Sequence, residues 1–509
     1  MTTAASAPLP EDLAPATPLQ RPFTHTELPP RPQKSLMHRA FSAATSWYWP
    51  ADALAAHAAE SALLARAAAA SVHALALNSA WSMRSGFVDV GPSLPAGSPA
   101  AASPHALINT LVVEPTTATD TSAPPVLFLH GYGSGLGLWY RALPTVADAL
   151  VPRGHTLYAI DWLGSARSAR VPFPVAEVAK DSSKCHKDKK HSNNSSSSSS
   201  DAVVIDGKVP SGGRDPTVAV TEAYFLDSLA AFHSQALDNK PAIVVAHSLG
   251  GYLATRYAQQ YPDRVAQLVL VSPAGVPPVP PPHVQTFANR PLPWHWAAVR
   301  SAFRGMWEAG YTPFQLLRGL GPVGPRLAGW YTSRRMEAVD DAEARELRDY
   351  VFHVNAHGDA AGEKALSALL LPGAWAKDPL AHTLPQIWRE SGIPTRFVYG
   401  DVDWMDFRHA ARVLAADATA SAGTPSPADV SVHIVEGAGH QVFLDNPPRF
   451  AETVIDMVVN PHPLVARLSG EDLAVALASK AAEEIEAAAA AAAAAPVVAS
   501  ADAHVSTLQ

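Results

Sequence analysis

The sequence predicts an α/β protein with a mostly parallel sheet and helices on both faces. Short apolar runs of strand length alternate with segments of helical spacing along most of the chain, and this alternation is typical of parallel sheets. Turns rich in small residues follow two of these runs, Pro125–Leu129 and Ala242–Ala246. Because loops at the carboxyl ends of parallel strands carry the functional residues, we expect both turns at one catalytic edge.

Eight apolar runs are predicted to be strands, and the first two are expected to pair antiparallel before the parallel part of the sheet begins. In chain order the predicted strands are Gly86–Val90, Ile108–Glu114, Pro125–Leu129, Thr156–Ile160, Ala242–Ala246, Val265–Val271, Thr395–Tyr399 and Val430–Val435. The predicted helices include Ala51–Val72, Leu143–Leu150, a segment directly after Ser248, Thr221–Ala236 and Pro447–Val459.

Composition divides the chain into parts with different expected order. Residues 1–45 are rich in proline, alanine and threonine and are predicted to be disordered, whereas residues 46–465 are expected to form the folded domain. Within that domain, residues 175–214 contain a serine run and form a low-complexity insertion. Residues 277–380 are mostly helical in pattern and rich in aromatic and other apolar residues, which predicts a helical cap over a pocket or a lipid-facing lid. Residues 466–509 form an alanine-rich tail.

Charge and cysteine content exclude several function classes. The formal net charge is −8 and no basic stripe occurs, which argues against nucleic acid as a partner. The single cysteine, Cys185, excludes a disulfide framework and a cysteine metal site. His186 and His191 lie in the low-complexity insertion without ligand spacing, so we predict neither a metal nor a cofactor. No apolar run reaches the about 18 residues that a membrane-spanning helix needs.

Ser248 lies in a pattern typical of a nucleophile elbow. The apolar run Ala242–Ala246 leads into His247-Ser248-Leu249-Gly250-Gly251, and a helical segment follows. Such a turn is so tight that only small side chains fit beside the serine, whose hydroxyl then projects from the sheet edge. Ala246 stands where the pattern has glycine, a difference of one methyl group that we expect to be tolerated.

A serine nucleophile needs a histidine base and an acid that orients it, and in this type of fold they follow the serine in the order acid, then histidine. His440 is the predicted base because it alone among 21 histidines follows a glycine-rich turn after the last strand. The turn after Thr395–Tyr399 supplies three candidate acids. We favour Asp403, with Asp406 as the alternative and Asp401 third.

The oxyanion that forms during acyl transfer needs preset backbone N–H donors. The predicted donors are Leu249, directly after the nucleophile, and Tyr132, in the glycine-rich loop that begins at His130. That loop lacks the Gly-Lys-Ser/Thr of a nucleotide-binding loop. His130 itself, like Asp161 at the end of the next strand, is interpreted as structural.

His440 and Asp445 also form an H-x4-D spacing. In glycerolipid acyltransferases such a pair deprotonates an acceptor hydroxyl. The competing interpretation is structural, because Asp445 or Asn446 directly precedes Pro447-Pro448, where a helix N-cap followed by proline is expected. His440 could serve either chemistry, because water or an alcohol can resolve an acyl-enzyme.

Longer motifs resemble a known α/β-hydrolase subfamily, which includes the alpha/beta-hydrolase-domain proteins four and five and their plant and fungal relatives, among them a fungal mitochondrial cardiolipin-specific deacylase. The resemblance covers roughly residues 45–465 apart from the serine-rich insertion. The matching segments are H-G-Y-G-S-G-L-G-L-W (130–139), D-W-L-G-S-A-R-S (161–168), H-S-L-G-G-Y-L-A (247–254), Y-P-D-R-V (261–265), G-A-W-A-K-D-P (373–379), Y-G-D-V-D-W-M-D (399–406) and G-A-G-H-Q-V-F-L-D (437–445).

The resemblance implies the α/β-hydrolase fold, an eight-stranded sheet with a helical cap, and lipid acyl-ester chemistry. The expected activity is deacylation of cardiolipin or related phospholipids by Ser248, Asp403 and His440. One alternative is acyl transfer from acyl-CoA to lysophosphatidic acid through His440 and Asp445. Another is a non-catalytic protein that regulates a lipase at a lipid surface, since one animal relative has asparagine in place of the nucleophile.

The resemblance also implies contact with a lipid surface. Members carry a tryptophan-rich N-terminal segment, and Trp47, Tyr48 and Trp49 stand at the corresponding place. The expected partners are a phospholipid or lysophospholipid substrate and the surface of a membrane or lipid droplet. The N-terminal region carries acidic residues and is a poor secretory signal, which predicts an intracellular location. The fungal analogy favours the mitochondrion, with the lipid droplet or cytoplasm as alternatives.

Overall fold

A computed structural model of the chain describes residues 53–70, 80–103, 105–117, 123–173, 214–278, 292–319, 340–356, 361–420 and 429–460. The predicted disordered region 1–45, the segment Trp47–Trp49, residues 175–213 of the insertion and the tail 466–509 lie outside the described residues, as do parts of the predicted cap.

The fold is built on one eight-stranded sheet with the spatial order β1-β2-β4-β3-β5-β6-β9-β10. Its strands are β1 (Trp81–Asp89), β2 (Leu107–Pro115), β3 (Val126–Leu129), β4 (Leu157–Ile160), β5 (Ala242–His247), β6 (Val265–Val271), β9 (Thr395–Gly400) and β10 (Val430–Val435). β1 pairs with β2, and β2 with β4, antiparallel, whereas the remaining neighbours are parallel. The predicted mostly parallel sheet with an antiparallel start is therefore confirmed. A separate two-stranded hairpin is formed by β7 (Leu370–Leu371) and β8 (Trp375–Ala376).

Helices cover both faces of the sheet. They are α1 (Ala53–Ala70), α2 (Leu143–Leu150), α3 (Pro216–Ala236), α4 (Leu249–Gln260), α5 (Trp294–Glu308), α6 (Pro313–Gly319), α7 (Asp341–Ala356), α8 (Ala365–Leu369), α9 (Leu380–Glu390), α10 (Arg408–Ala420), α11 (Val442–Asp445) and α12 (Pro447–Val459). Strand side chains alternate between the two faces. On β3, Leu127 and Leu129 join the core beneath α3 and α4, while Val126 and Phe128 join the core beneath α1, α2 and α12.

Two elements begin five residues before their predicted starts. β1 begins at Trp81, five residues before the predicted Gly86, because its first half pairs with β2 up to Pro115. α3 begins at Pro216 rather than Thr221. Asp215 caps this helix by accepting a hydrogen bond from the N–H of Thr217, and proline suits the first helical position.

A buried polar network attaches α1 to the sheet. Glu60 is fully buried on α1, forms an ion pair with Arg167 and accepts hydrogen bonds from the Asn109 Nδ2 of β2. Asn109 also donates to Asp161, at the end of β4. Burial raises the pKa of Glu60 to about 7. These contacts join residues that are far apart in the sequence.

The helices α5–α8 are inserted between β6 and β9 and lie on the carboxyl-end side of the sheet, which agrees with the predicted cap. α7 and α8 bury apolar residues, whereas α5 has no buried residue along its length.

No helix within the described ranges is both long and apolar enough to cross a bilayer.

Candidate active site

The turn between β5 and α4 has the strained geometry of a nucleophile elbow. Ser248 has φ 53° and ψ −118°, a backbone conformation that costs of order 1–3 kcal/mol for a residue with a side chain and that persists where the surroundings enforce it. The Ser248 N–H donates to the Val271 carbonyl at 2.9 Å, and the Ser248 carbonyl accepts from Gly251 at 2.9 Å. A Cβ on Gly250 would lie 2.5 Å from the His130 carbonyl oxygen, so a glycine is needed there.

Three side chains from separate loops form a hydrogen-bonded relay. The Nε2 of His440 lies 3.1 Å from the Oγ of Ser248, and its Nδ1 lies 3.1 Å from the Oδ1 of Asp403. The side chain of Asp403 is 1% exposed and that of His440 is 8% exposed. Because β9 and β10 pair with Gly400 opposite Val435, the turns that follow them bring Asp403 and His440 together. The structure thus assembles the three residues that the sequence pattern singled out.

The other two candidate acids have different partners. Asp401 accepts the N–H of Ala438 at 3.0 Å, which joins the turns after β9 and β10. Asp406 accepts hydrogen bonds from the backbone N–H and the Nε of Arg408. Burial raises the pKa of Asp406, but its hydrogen bonds with Arg408 and the charge of that residue outweigh burial and lower the pKa below the usual value. Of the three carboxylates, Asp403 is therefore the one bonded to His440.

Asp445 does not complete a pair with the imidazole of His440. Its Oδ2 accepts the N–H of Gly439 at 2.9 Å, one residue before His440. Asn446 caps α12 by accepting the N–H of Arg449. Burial raises the pKa of Asp445. The geometry gives Asp445 a hydrogen bond to the backbone of the loop that carries the histidine.

His247 supports the same loop and was not singled out by the sequence. Its Nε2 donates to the carbonyl oxygen of His440 at 2.9 Å, and the two rings lie 4.8 Å apart. Burial lowers the pKa of His247 well below the usual value, so the ring is neutral. Strand alternation indicates the direction of its side chain, because His247 shares a face of β5 with the buried residues Ile243 and Val245.

Gly400 permits the close approach of the turns that carry Asp403 and His440. A Cβ at this position would lie 1.9 Å from the Ala438 carbonyl oxygen and 2.6 Å from that of Gly439. We expect Gly400→Ala to displace the histidine loop and to lower the hydrolysis rate of a soluble ester by about 100-fold, since a displacement of about 1 Å can cost that much. Steady-state kinetics on a short-chain ester measure this effect.

Gly305→Ala is the matched control, because a Cβ on Gly305 meets no atom within 4 Å. This control should retain the parent rate. An unchanged rate in Gly400→Ala would show that the close approach of the two turns is not needed for catalysis.

The loop after β3 packs directly against the elbow. A Cβ on Gly131 would lie 2.9 Å from the Cβ of Ser248, so only glycine lets the loop pass this close to the nucleophile. Tyr132 follows in this loop. Leu249 is the first residue of α4, and the first N–H groups of a helix have no partner within the helix. Of the two predicted oxyanion donors, Leu249 directly follows the nucleophile and Tyr132 directly follows the glycine that packs against it.

His130 and Asp161 hold this loop in place through hydrogen bonds to backbone groups. The Nδ1 of His130 donates to the Gly131 carbonyl at 2.7 Å, and its Nε2 accepts the N–H of Trp162 at 3.2 Å. Asp161 accepts the N–H of Leu136 at 2.7 Å. Burial lowers the pKa of His130, which agrees with a neutral ring that accepts at Nε2. These bonds fit the structural interpretation of both residues.

The cap closes over the loop. Phe314 of α6 lies against Tyr132, with ring centroids 5.2 Å apart, and a Cβ on Gly133 would lie 2.5 Å from the Phe314 ring. Asn355 of α7 donates to the Gly133 carbonyl at 2.9 Å. The cavity lined by Tyr132, Leu249 and Phe314 has a volume of only about 20 Å³, room for a water molecule. A cavity of this volume does not hold an acyl chain.

The described residues offer no site for a metal ion, since they contain no group of three or more histidine, cysteine, aspartate or glutamate side chains placed to hold one.

Comparison with known proteins identifies related chains. A profile for the alpha/beta hydrolase fold matches residues 124–306. The chain is 29% identical to a probable 1-acylglycerol-3-phosphate O-acyltransferase of Oryza sativa, over 68% of this chain and 69% of the relative. It is 27% identical to a (lyso)-N-acylphosphatidylethanolamine lipase of Mus musculus, over 69% of this chain and 82% of the relative.

A third relative is the abhydrolase domain-containing protein abhd-5.2 of Caenorhabditis elegans, which is 26% identical over 65% of this chain and 58% of the relative. The chain therefore spans less than two thirds of the nematode protein. The segment matched by the fold profile contains Ser248 and ends before Asp403 and His440.

Proposed function

Because this chain is an α/β hydrolase of the subfamily that includes the alpha/beta-hydrolase-domain proteins four and five, we propose that it is a serine hydrolase of glycerophospholipid acyl esters. The observation that carries the proposal is the relay from Asp403 through His440 to Ser248. The Nδ1 of His440 lies 3.1 Å from the Oδ1 of Asp403, and its Nε2 lies 3.1 Å from the Oγ of Ser248. The reaction takes place at a membrane surface, where such substrates reside.

Acylation of the enzyme begins with Ser248. Its Oγ attacks the carbonyl carbon of the ester while the Nε2 of His440 takes the hydroxyl proton. Asp403 accepts the Nδ1–H of His440, which fixes the tautomer and stabilises the imidazolium. The backbone N–H groups of Leu249 and Tyr132 stabilise the oxyanion. When the tetrahedral intermediate collapses, the lysophospholipid alkoxide leaves and takes the proton from Nε2.

Deacylation repeats the sequence with water as the nucleophile. His440 removes a proton from water, the hydroxide attacks the Ser248 ester, and the proton returns to the serine oxygen as the fatty acid leaves. His440 therefore acts first as a base and then as an acid in each half of the reaction, acylation and deacylation. His247 and Asp445 hold its loop in place through backbone hydrogen bonds.

The substrate class rests on the relatives, whose names describe proteins that act on acyl lipids. Cardiolipin or a related phospholipid is the substrate that we propose. The packing of Phe314 from the cap on the loop that contains Tyr132 and Gly133 supports a cap that takes part in substrate access. A mitochondrial location, with the lipid droplet or cytoplasm as alternatives, is proposed from the same resemblance.

A second candidate is acyl transfer from acyl-CoA to lysophosphatidic acid, which the name of the rice relative favours. In this reaction a lipid hydroxyl takes the place of water, and Asp445 would act with His440 on that hydroxyl. The hydrogen bond from Gly439 to Asp445 supports a structural role instead.

The proposal is tested by incubating the purified protein with a panel of acyl lipids. The panel contains cardiolipin, phosphatidylcholine, N-acylphosphatidylethanolamine, lysophospholipids, and acyl-CoA with lysophosphatidate, with products identified by mass spectrometry. We expect fatty acid release from at least one phospholipid and its loss in Ser248→Ala. Acyl transfer that survives in Ser248→Ala, without any hydrolysis, would contradict the proposal.

Two variants of Asp445 separate its two roles. Asp445→Asn keeps an oxygen that can accept the Gly439 N–H, whereas Asp445→Ala removes it. A structural role predicts that Asp445→Asn retains nearly full activity and that Asp445→Ala loses about tenfold, the effect of a lost buried hydrogen bond of about 1.4 kcal/mol. The rates of hydrolysis and transfer are measured for both variants. A selective loss of transfer in Asp445→Asn would instead establish the carboxylate as part of an acyltransferase site.

A further inference from the structure

Helix α5 exposes an aromatic surface that the rest of the described chain does not cover. Its 15 residues include none that is buried. Trp294 is 82% exposed, Trp296 57% and Phe303 38%. Trp296, Val299 and Phe303 follow the spacing i, i+3, i+7, so they share one face of the helix. A monomeric soluble protein seldom presents large apolar side chains together in this way.

The sequence around α5 is basic, although the whole chain is acidic. Between Val265 and Met336 it contains seven arginines, no lysine and a single acidic residue, Glu308. This segment carries a net charge of +6, whereas the chain carries −8. On α5 itself, Arg300 and Arg304 lie one turn apart, beside the aromatic face.

We propose that α5 is a docking surface for an anionic phospholipid membrane. Tryptophan and phenylalanine side chains insert at the boundary between headgroups and acyl chains, and the arginines contact the lipid phosphates. The occupant is argued from charge complementarity, because α5 combines its exposed aromatic rings with two arginines and a single acidic residue. This proposal rests on the proposed lipid-ester hydrolase function, and the surface is formed by residues other than the segment Trp47–Trp49.

The position of α5 connects the docking surface to the active site. Tyr311 is exposed just beyond the end of α5, and three residues later Phe314 covers the loop that contains Tyr132 and Gly133. The carboxyl end of α5 is attached to the domain by the Trp307 indole, whose N–H donates to the Leu370 carbonyl at 3.2 Å. Docking through the amino-terminal part of α5 therefore places the lipid surface next to the element that closes the cavity.

Co-sedimentation with vesicles tests the docking surface without requiring catalysis. The vesicles contain phosphatidylcholine with or without phosphatidylglycerol, and every protein compared is the full chain with Trp47, Tyr48 and Trp49 replaced by alanine, so that this segment cannot mask the effect. One variant adds Trp296→Ser and Phe303→Ser. Another adds Arg300→Gln and Arg304→Gln.

The controls change the same residue types elsewhere on the surface. Val459→Ser removes an exposed apolar side chain at the end of α12, and Arg153→Gln removes an exposed arginine after α2. We expect both controls to bind like the parent. Fluorophosphonate labelling of Ser248 in the absence of lipid should be the same in all proteins, which separates a loss of docking from a loss of folding or of the active site.

The parent protein should bind anionic vesicles more tightly than neutral ones, and salt should weaken this binding. We expect about a fivefold loss of affinity for each arginine removed and a loss of about tenfold or more for the aromatic pair. Equal binding by parent and variants, equal binding to neutral vesicles, or no binding by the parent would overturn the proposal. A parent dimer that becomes monomeric in the aromatic variant would also overturn it, since the surface would then join two copies of the chain.

Discussion

Replacing Ser248 with alanine is expected to lower the rate of phospholipid deacylation about 10⁶-fold, the loss that follows removal of a serine nucleophile from an assembled triad. The fold should be unaffected, because the hydroxyl bonds to the imidazole of His440 while the elbow is held by backbone hydrogen bonds to Val271 and Gly251. The measurement is fatty acid release from phospholipid vesicles, with thermal unfolding measured on the same samples.

Ser165→Ala is a suitable control for this change. Ser165 lines the cavity beside Tyr132 and Leu249, whereas the hydroxyl bonded to the catalytic histidine is that of Ser248. It should retain a rate within a few fold of the parent. If Ser248→Ala released fatty acid at the parent rate, the nucleophile would have to be another group or an activated water.

Asp403→Asn is expected to lower the turnover rate by about 10⁴-fold while the structure of the site is preserved. An asparagine amide fits the same space, but it can present an N–H to the Nδ1 of His440. The imidazole would then hold its proton on Nε2, where it could no longer accept the Ser248 proton. The effect should appear in kcat rather than in KM, because Asp403 lies behind the histidine and does not touch substrate.

Asp406→Asn is the matched comparison, since this carboxylate bonds Arg408 rather than His440. We expect only a small decrease in the turnover rate of Asp406→Asn, because a neutral amide bonds Arg408 more weakly than the carboxylate does. If the two substitutions had effects of the same size, or if Asp406→Asn were the more damaging, the acid would be wrongly assigned. The hydrolysis rate of a soluble ester is measured for both variants at the same series of pH values.

The central part of the site could be predicted because each residue follows directly from a local pattern. Ser248, Asp403 and His440 all come after buried strands, and parallel strands place their following turns at the same edge. The choice of Asp403 over Asp406 required the position within the turn. The structure brings Asp403 to His440 and gives Asp406 to Arg408.

Other features depend on contacts between distant segments and left no local pattern. Glu60 pairs with Arg167 across more than one hundred residues, so a buried charge inside an alanine-rich helix could not be anticipated. The position of Phe314 over Gly133 is set by the packing of the cap. The sequence predicted an apolar cap, but which aromatic residues pack inward and which remain exposed on α5 is decided by tertiary structure.

The most direct test of the proposed serine hydrolase is the reaction of the purified chain with a fluorophosphonate, followed by peptide mass spectrometry. The relay from Asp403 to Ser248 predicts a single phosphonyl adduct on the Ser248 oxygen, formed with loss of fluoride. The adduct should be absent in Ser248→Ala and should form much more slowly in Asp403→Asn. No adduct, or an adduct at another residue, would contradict the proposed mechanism and would favour a non-catalytic, lipase-regulating role at a lipid surface.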